Sequence, residues 1–417
     1  MEEKKKVKKG LLRENNRTHI ILFVLTVITT TLAGAEWIYG RSFIYGTHKM
    51  GWQEFLGGFE YSIPFLLILT THEFGHYLTA RYHNIKTSLP FYIPMWFGFA
   101  PSIGTMGAFI RIKERANSRI QNFDIGVAGP LSGFVVAFIV LLIGFLNLPP
   151  AGYVLEIHPE YEALGPNYDQ YVYTQDTFIL KNDIAKYNPE YAENLPDTLF
   201  YSPDSPAFQL GTTILFDAMY GLVPDDKLDR IPHPAEIMHY PWLLAGFLAL
   251  IFTALNMLPI GQLDGGHVIY GLFGAQKHAI ISRVFFILLI VYSGVGIISP
   301  YEAPGSGDSI EYAIYIPLYV FFLYYILARV TPKKTSRLLI AISIFAFQFL
   351  IVQMFPTAQG YYGWLFFSFF IGRFVGVDYP PARIDDELDT RRQLLGWFAL
   401  IVFIISFSLQ PLTLVGI

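Results

Sequence analysis

The sequence predicts an all-α polytopic membrane protein with about nine transmembrane helices and a membrane-embedded β-strand segment near its candidate site. Three observations carry that reading. Of the 417 residues 53% are hydrophobic, 17% aromatic and 15% charged, and mean hydropathy is positive, which is far from an ordinary soluble domain. Apolar runs of spanning length recur along the whole chain. The connections between them alternate in charge as the positive-inside rule requires.

The first seventeen residues, "MEEKKKVKKGLLRENNR", are basic and precede an apolar run at 19–35. "LAGA" ahead of Glu36 has some character of a signal-peptide cleavage site, but a retained helix is the preferred reading. Further apolar segments fall at 59–80, 123–147, 241–262, 281–299, 312–329, 338–355, 361–376 and 394–411, of which 361–376 is the shortest. With the amino terminus inside, Arg81, Lys86, Arg111, Lys113, Arg115 and Arg119 of 81–122 also fall inside. The 148–240 stretch, with fifteen acidic and four basic residues, falls outside. Lys333, Lys334 and Arg337 return to the inside; Glu302, Asp308 and Glu311 lie outside.

Two connections depart from simple loops. "SLPFYIPMWFGFAPSIGTMGAFIRI" (88–112) is too apolar for a loop and too rich in Pro and Gly for a helix, so it reads as extended strands dipping into the membrane beside protein or a wet cavity. In the long acidic stretch, "AFQLGTTILFDAMYGL" (207–222) is expected as a short helix along the interface. Five regions result: 1–58, basic amino terminus and first helix; 59–147, first part of a catalytic core; 148–240, acidic insertion; 241–273, second part of the core; and 274–417, carboxy-terminal helices. The insertion is expected to gate access from outside.

Cysteine is absent, so a metal here must be held by imidazole and carboxylate. "TTHEFGHYLTA" (70–80) offers them. On a helix His72 and His76 share a face and can reach one ion, while Glu73 projects about 100° round, beside it. This is the H-E-x-x-H arrangement of zinc hydrolases, in which the glutamate is the general base. Such a spacing also arises by chance, but an ionisable residue in an apolar span costs several kcal/mol and usually marks a functional site. Zinc needs a third ligand at similar depth, and "ALNMLPIGQLDGGH" (254–267) supplies Asp264 near the same inner face. Read alone, the stretch has a lesser alternative, in which Asp264 caps a glycine-rich helix end.

H-E-x-x-H in one span, joined to N-x-x-P-x-x-x-L-D-G through Asn256, Pro259, Leu263, Asp264 and Gly265, resembles the site-2 protease family of intramembrane zinc metalloproteases. "GAFIRI" (107–112) and "AGPLSGF" (128–134) resemble that family's embedded strand and the glycine-rich start of its next core helix. The resemblance implies His72, His76 and Asp264 as zinc ligands, Glu73 as general base and acid, and a strand edge at 107–112 that receives an unwound substrate. It also implies a polar contact from Asn256 to substrate. That amide either donates to a developing oxyanion or satisfies a neighbouring backbone group.

The activity so implied is zinc-dependent hydrolysis of peptide bonds within or next to the transmembrane segment of a membrane-anchored protein. The competing class is a metal-handling or ion-transporting membrane protein whose His and Asp residues line a path. A conduit has no need of a base at Glu73. The partners expected are the bilayer and a membrane-anchored substrate; a net charge of -4 gives no ground for nucleic acid. The charge alternation suggests a bacterial cytoplasmic membrane with the site toward the inside. His267 reads as adjacent to the metal rather than as a ligand, His83 and His278 as surface groups, and His158, His233 and His239 as outer residues remote from the zinc.

Overall fold

The apolar run at 19–35 folds as helix α1, Asn16–Tyr39, in a computed structural model that describes residues 16–44, 50–98, 102–164, 207–301 and 309–415. The basic residues 1–15, most of the acidic insertion, and Glu302 and Asp308 lie outside the described residues. Ala33 and Ala35 of the "LAGA" stretch are fully buried within α1. After the short α2, Trp52–Gly57, helix α3 spans Phe59–Tyr82 and carries the H-E-x-x-H motif. Strands β1, Phe91–Pro94, and β2, Thr105–Phe109, form an antiparallel pair that pairs Phe91 with Phe109 and Tyr92 with Ala108. The strand expected over 107–112 therefore starts earlier and ends at Phe109.

Helix α4, Arg119–Leu146, opens on Ser118, whose hydroxyl accepts the Gln121 amide in an N-cap. Past it come α5, Tyr153–Ile157, strand β3, Ala207–Leu210, and α6, Ile214–Tyr220. The helix expected over 207–222 is thus confined to Ile214–Tyr220, and the first four residues of that stretch are strand. Its first residues pair antiparallel with β4, Leu412–Val415. Helix α7, Pro241–Asn256, and helix α8, Asp264–Ser293, follow; α8 is kinked at Gly274. The carboxy-terminal part comprises α9, Ser309–Ile326; α10, Lys334–Met354; α11, Tyr362–Phe370; and α12, Thr390–Ser406.

The fold is mostly helical, and among the described residues five stretches are long and apolar enough to cross a membrane: α1, α4, α8, α10 and residues 312–329. The other expected spans are helices too, but α7 and α11 are short, α12 ends at Ser406 instead of near 411, and α3 holds several polar residues. At the centre α4 packs along α3, α7 and α8.

The polar end of this packing is tied by Asp124. Its carboxylate takes two bonds from the Arg392 guanidinium, at 2.8 and 2.9 Å, and a third at 2.9 Å from His83 Nε2. The expected surface histidine, His83, thus joins the ends of α3, α4 and α12. Arg392 is about a third exposed, so Asp124→Ala is expected to cost only about 1–2 kcal/mol. A lower unfolding midpoint in detergent measures it.

Candidate metal centre

One turn apart on α3, His72 and His76 bring their Nε2 atoms within 3.1 Å of each other. Both are buried, as is Glu73 between them in sequence. The third group arrives by a break in the chain. Helix α7 stops at Asn256, residues 257–263 turn, and α8 begins at Asp264. Pro259 cannot continue a helix, and Gly261 adopts φ 54°, a backbone region that favours glycine. The N-x-x-P-x-x-x-L-D-G motif is therefore a helix–turn–helix, its break lying among the Pro and Gly residues of the motif.

Asp264 Oδ2 lies 3.4 Å from His72 Nε2 and 3.3 Å from His76 Nε2. The reading of Asp264 as a cap does not fit, because the N-cap of α8 is Leu263 and no side chain caps that end. His76 Nδ1 donates to the Ile125 carbonyl at 2.7 Å, so in the neutral ring Nε2 presents a lone pair. A lone pair facing a carboxylate oxygen is repulsive unless a cation or proton lies between them. Donors of a tetrahedral zinc site at about 2.0–2.1 Å from the ion stand about 3.3 Å apart. The three observed separations of 3.1, 3.3 and 3.4 Å fit that edge. Two imidazoles with one carboxylate also leave a fourth position open, as in hydrolytic zinc sites.

The space around this cluster is a cavity of about 290 Å³ whose walls include Glu73, Phe109, Ile110, Asn256, Leu263 and His267. Glu73 faces the backbone of Ile110, just past β2. Asn256 Nδ2 lies 3.5 Å from His72 Nε2, at the limit of a hydrogen bond. His267 shares a 2.6 Å hydrogen bond with the Tyr379 hydroxyl through Nδ1 and is not among the clustered donor atoms. His278, expected at the surface, is fully buried, its Nε2 donating to the Gly261 carbonyl at 3.2 Å. It thereby braces the turn that delivers Asp264.

Two features of this site were not foreseen in the sequence. Gly129 of α4 passes so close to His76 that a Cβ there would fall on the imidazole. Tyr379, far along the chain, supplies the partner of His267. "AGPLSGF" held a signal for the first in its small residues, which mark close helix crossings in membranes. Nothing near Tyr379 signals the second.

Compared with known proteins, residues 60–295 match the model of Peptidase family M50. The chain belongs to that family. Family M50 is the site-2 protease family, and the matched residues hold both motifs of the centre just described. Among the M50-like relatives is "Probable zinc metalloprotease EGY1, chloroplastic" of Oryza sativa subsp. japonica, 30% identical over 64% of this chain and 34% of its own. "Probable zinc metalloprotease EGY2, chloroplastic" of Oryza sativa subsp. indica is 27% identical over 53% of this chain and 30% of its own. The EGY2 protein of Arabidopsis thaliana, under the same name, is 28% identical over 50% of this chain and 28% of its own. The chain thus spans about a third of the length of these curated relatives. No solved structure matches it.

Proposed function

We propose that this protein is an intramembrane zinc endopeptidase that cuts a membrane-anchored protein within or next to its transmembrane segment. The observation that carries this reading is the meeting of His72 Nε2, His76 Nε2 and Asp264 Oδ2 within 3.4 Å of one another, with Glu73 in the same cavity. Membership of family M50 and the zinc metalloprotease names of the relatives support it.

In this reading His72, His76 and Asp264 hold Zn2+. A zinc ion there supplies a Lewis acid that polarises the scissile carbonyl and makes water acidic enough to react near neutral pH. Glu73 takes the proton of the attacking water and passes it to the departing amine. Asn256 Nδ2 donates toward the oxygen that becomes negative. His76 is held in the right tautomer by the Ile125 carbonyl. The sheet of β1 and β2 has two strands, so one edge of β2 is available to an extended peptide, whose bond is then open to attack. Cleavage falls on the side of the substrate helix nearest the basic loops.

The same reading gives the five regions roles: 59–147 and 241–273 form the catalytic core, 148–240 controls access, and 1–58 and 274–417 complete the membrane domain. It makes α3, α7, α11 and α12 spans as well, for about nine in all, and sets β1 and β2 at membrane depth beside the cavity. The bacterial cytoplasmic membrane expected from charge draws no support from the comparisons, whose plant relatives are named chloroplastic. The location proposed is therefore a multi-pass integral membrane protein with its site toward the face of the basic loops.

The test is reconstitution with a single-span model substrate. Wild-type protein with zinc is expected to release a fragment ending within or beside the span, and a chelator to stop it. Zinc movement across sealed vesicles without cleavage would support a transporter instead.

A further inference from the structure

At the far end of α7 from Asn256, a second cluster repeats the chemistry of the first. His158, just past α5, and Glu236 and His239, in the turn before α7, bring one ligand atom each to a common point. His239 Nε2 lies 3.2 Å from His158 Nε2 and 3.3 Å from Glu236 Oε2, and His158 Nε2 lies 4.0 Å from that oxygen. Helix α7 separates the two clusters by about 25 Å at 1.5 Å per residue, so they cannot share an ion.

Several observations point to a cation. His239 and Glu236 are 3% and 2% exposed, so their ligand atoms are withdrawn from water, where a carboxylate is stable only beside polar or cationic partners. His239 Nδ1 donates to the Ile38 carbonyl at 2.6 Å, which leaves the Nε2 lone pair facing Glu236 and His158. The carbonyl-anchored imidazole is the same device that orients His76. Two of the three edges, 3.2 and 3.3 Å, match the donor–donor edge of about 3.3 Å of a tetrahedral zinc site, and the third, 4.0 Å, is wider.

We propose that His158, Glu236 and His239 form a second zinc site, independent of the catalytic one. Two imidazole nitrogens favour zinc over the hard, oxygen-seeking Mg²⁺ and Ca²⁺. The site joins three segments that are distant in sequence: the end of α5, the turn that starts α7 and, through the Ile38 carbonyl, the end of α1. Its role is to fix the outer end of the helix whose inner end carries Asn256.

Zinc counted by mass spectrometry, after chelator treatment and reloading with zinc alone, tests this. Wild-type protein is expected to hold two ions per chain, Glu236→Gln one, and His72→Ala/His76→Ala one. Combining all three substitutions is expected to leave none. Zinc should also raise the unfolding midpoint of His72→Ala/His76→Ala protein but not that of the combined variant. No ion in His72→Ala/His76→Ala, or an unchanged count in Glu236→Gln, would overturn the proposal. One ion in wild type that His72→Ala/His76→Ala keeps and Glu236→Gln loses would count against the catalytic reading and leave this one standing.

Discussion

Replacing Glu73 by Gln is expected to slow peptide cleavage by about 10²–10⁴-fold, the usual contribution of a positioned general base, with the zinc content unchanged. The amide keeps the size of the side chain but cannot take a proton from water. Glu73 is buried beside the donor cluster without belonging to it, so ligation should survive the change. Cleavage assays on a membrane-anchored peptide, run beside zinc counts on the same preparations, read both halves. A variant that still cuts at the wild-type rate would remove Glu73 from the mechanism.

Gly129→Ala should be nearly as damaging although residue 129 offers no ligand. The added methyl would meet the His76 ring, and that ring cannot swing away without breaking its bond to the Ile125 carbonyl. Overpacking of this kind costs about 1–3 kcal/mol, and the ring that must yield carries one of the proposed zinc-binding nitrogens. Disturbing the support of a ligand typically lowers metal affinity about 10–100-fold, and a displacement of an ångström in the site costs about 100-fold in rate. Zinc titration against a competing chelator measures the first and cleavage the second. Ala137→Gly, lower on the same helix at a buried position, should leave zinc affinity at the wild-type value.

The legible part of the site was the part written locally. His72, Glu73 and His76 lie within two helical turns, so spacing alone puts them together. Asp264 was reachable because few acidic groups lie at matching depth, and its motif matched a family pattern. The break that delivers it was hinted at by Pro259 and Gly261, but residues 241–262 are apolar enough to read as one span. Long-range pairings left no such trace. β3 meets β4 across about 200 residues, and His267 meets Tyr379 across 112. His158 and His239 meet across 81; each looked alone like an outer histidine without a role, since no periodicity records a contact between distant turns. His278 looked exposed for the opposite reason. A polar residue in a helix whose packed face is unknown carries no sign that it will brace a buried carbonyl.

In the proposed function two histidines of α3 and the first residue of α8 hold one zinc ion, with Glu73 beside it as a base. Anomalous diffraction recorded on both sides of the zinc absorption edge tests this most directly. The expected result is a peak within bonding distance of His72 Nε2, His76 Nε2 and Asp264 Oδ2, and beyond bonding distance of Glu73. A zinc-loaded crystal with no peak there, or with Glu73 as a ligand in place of Asp264, would contradict it.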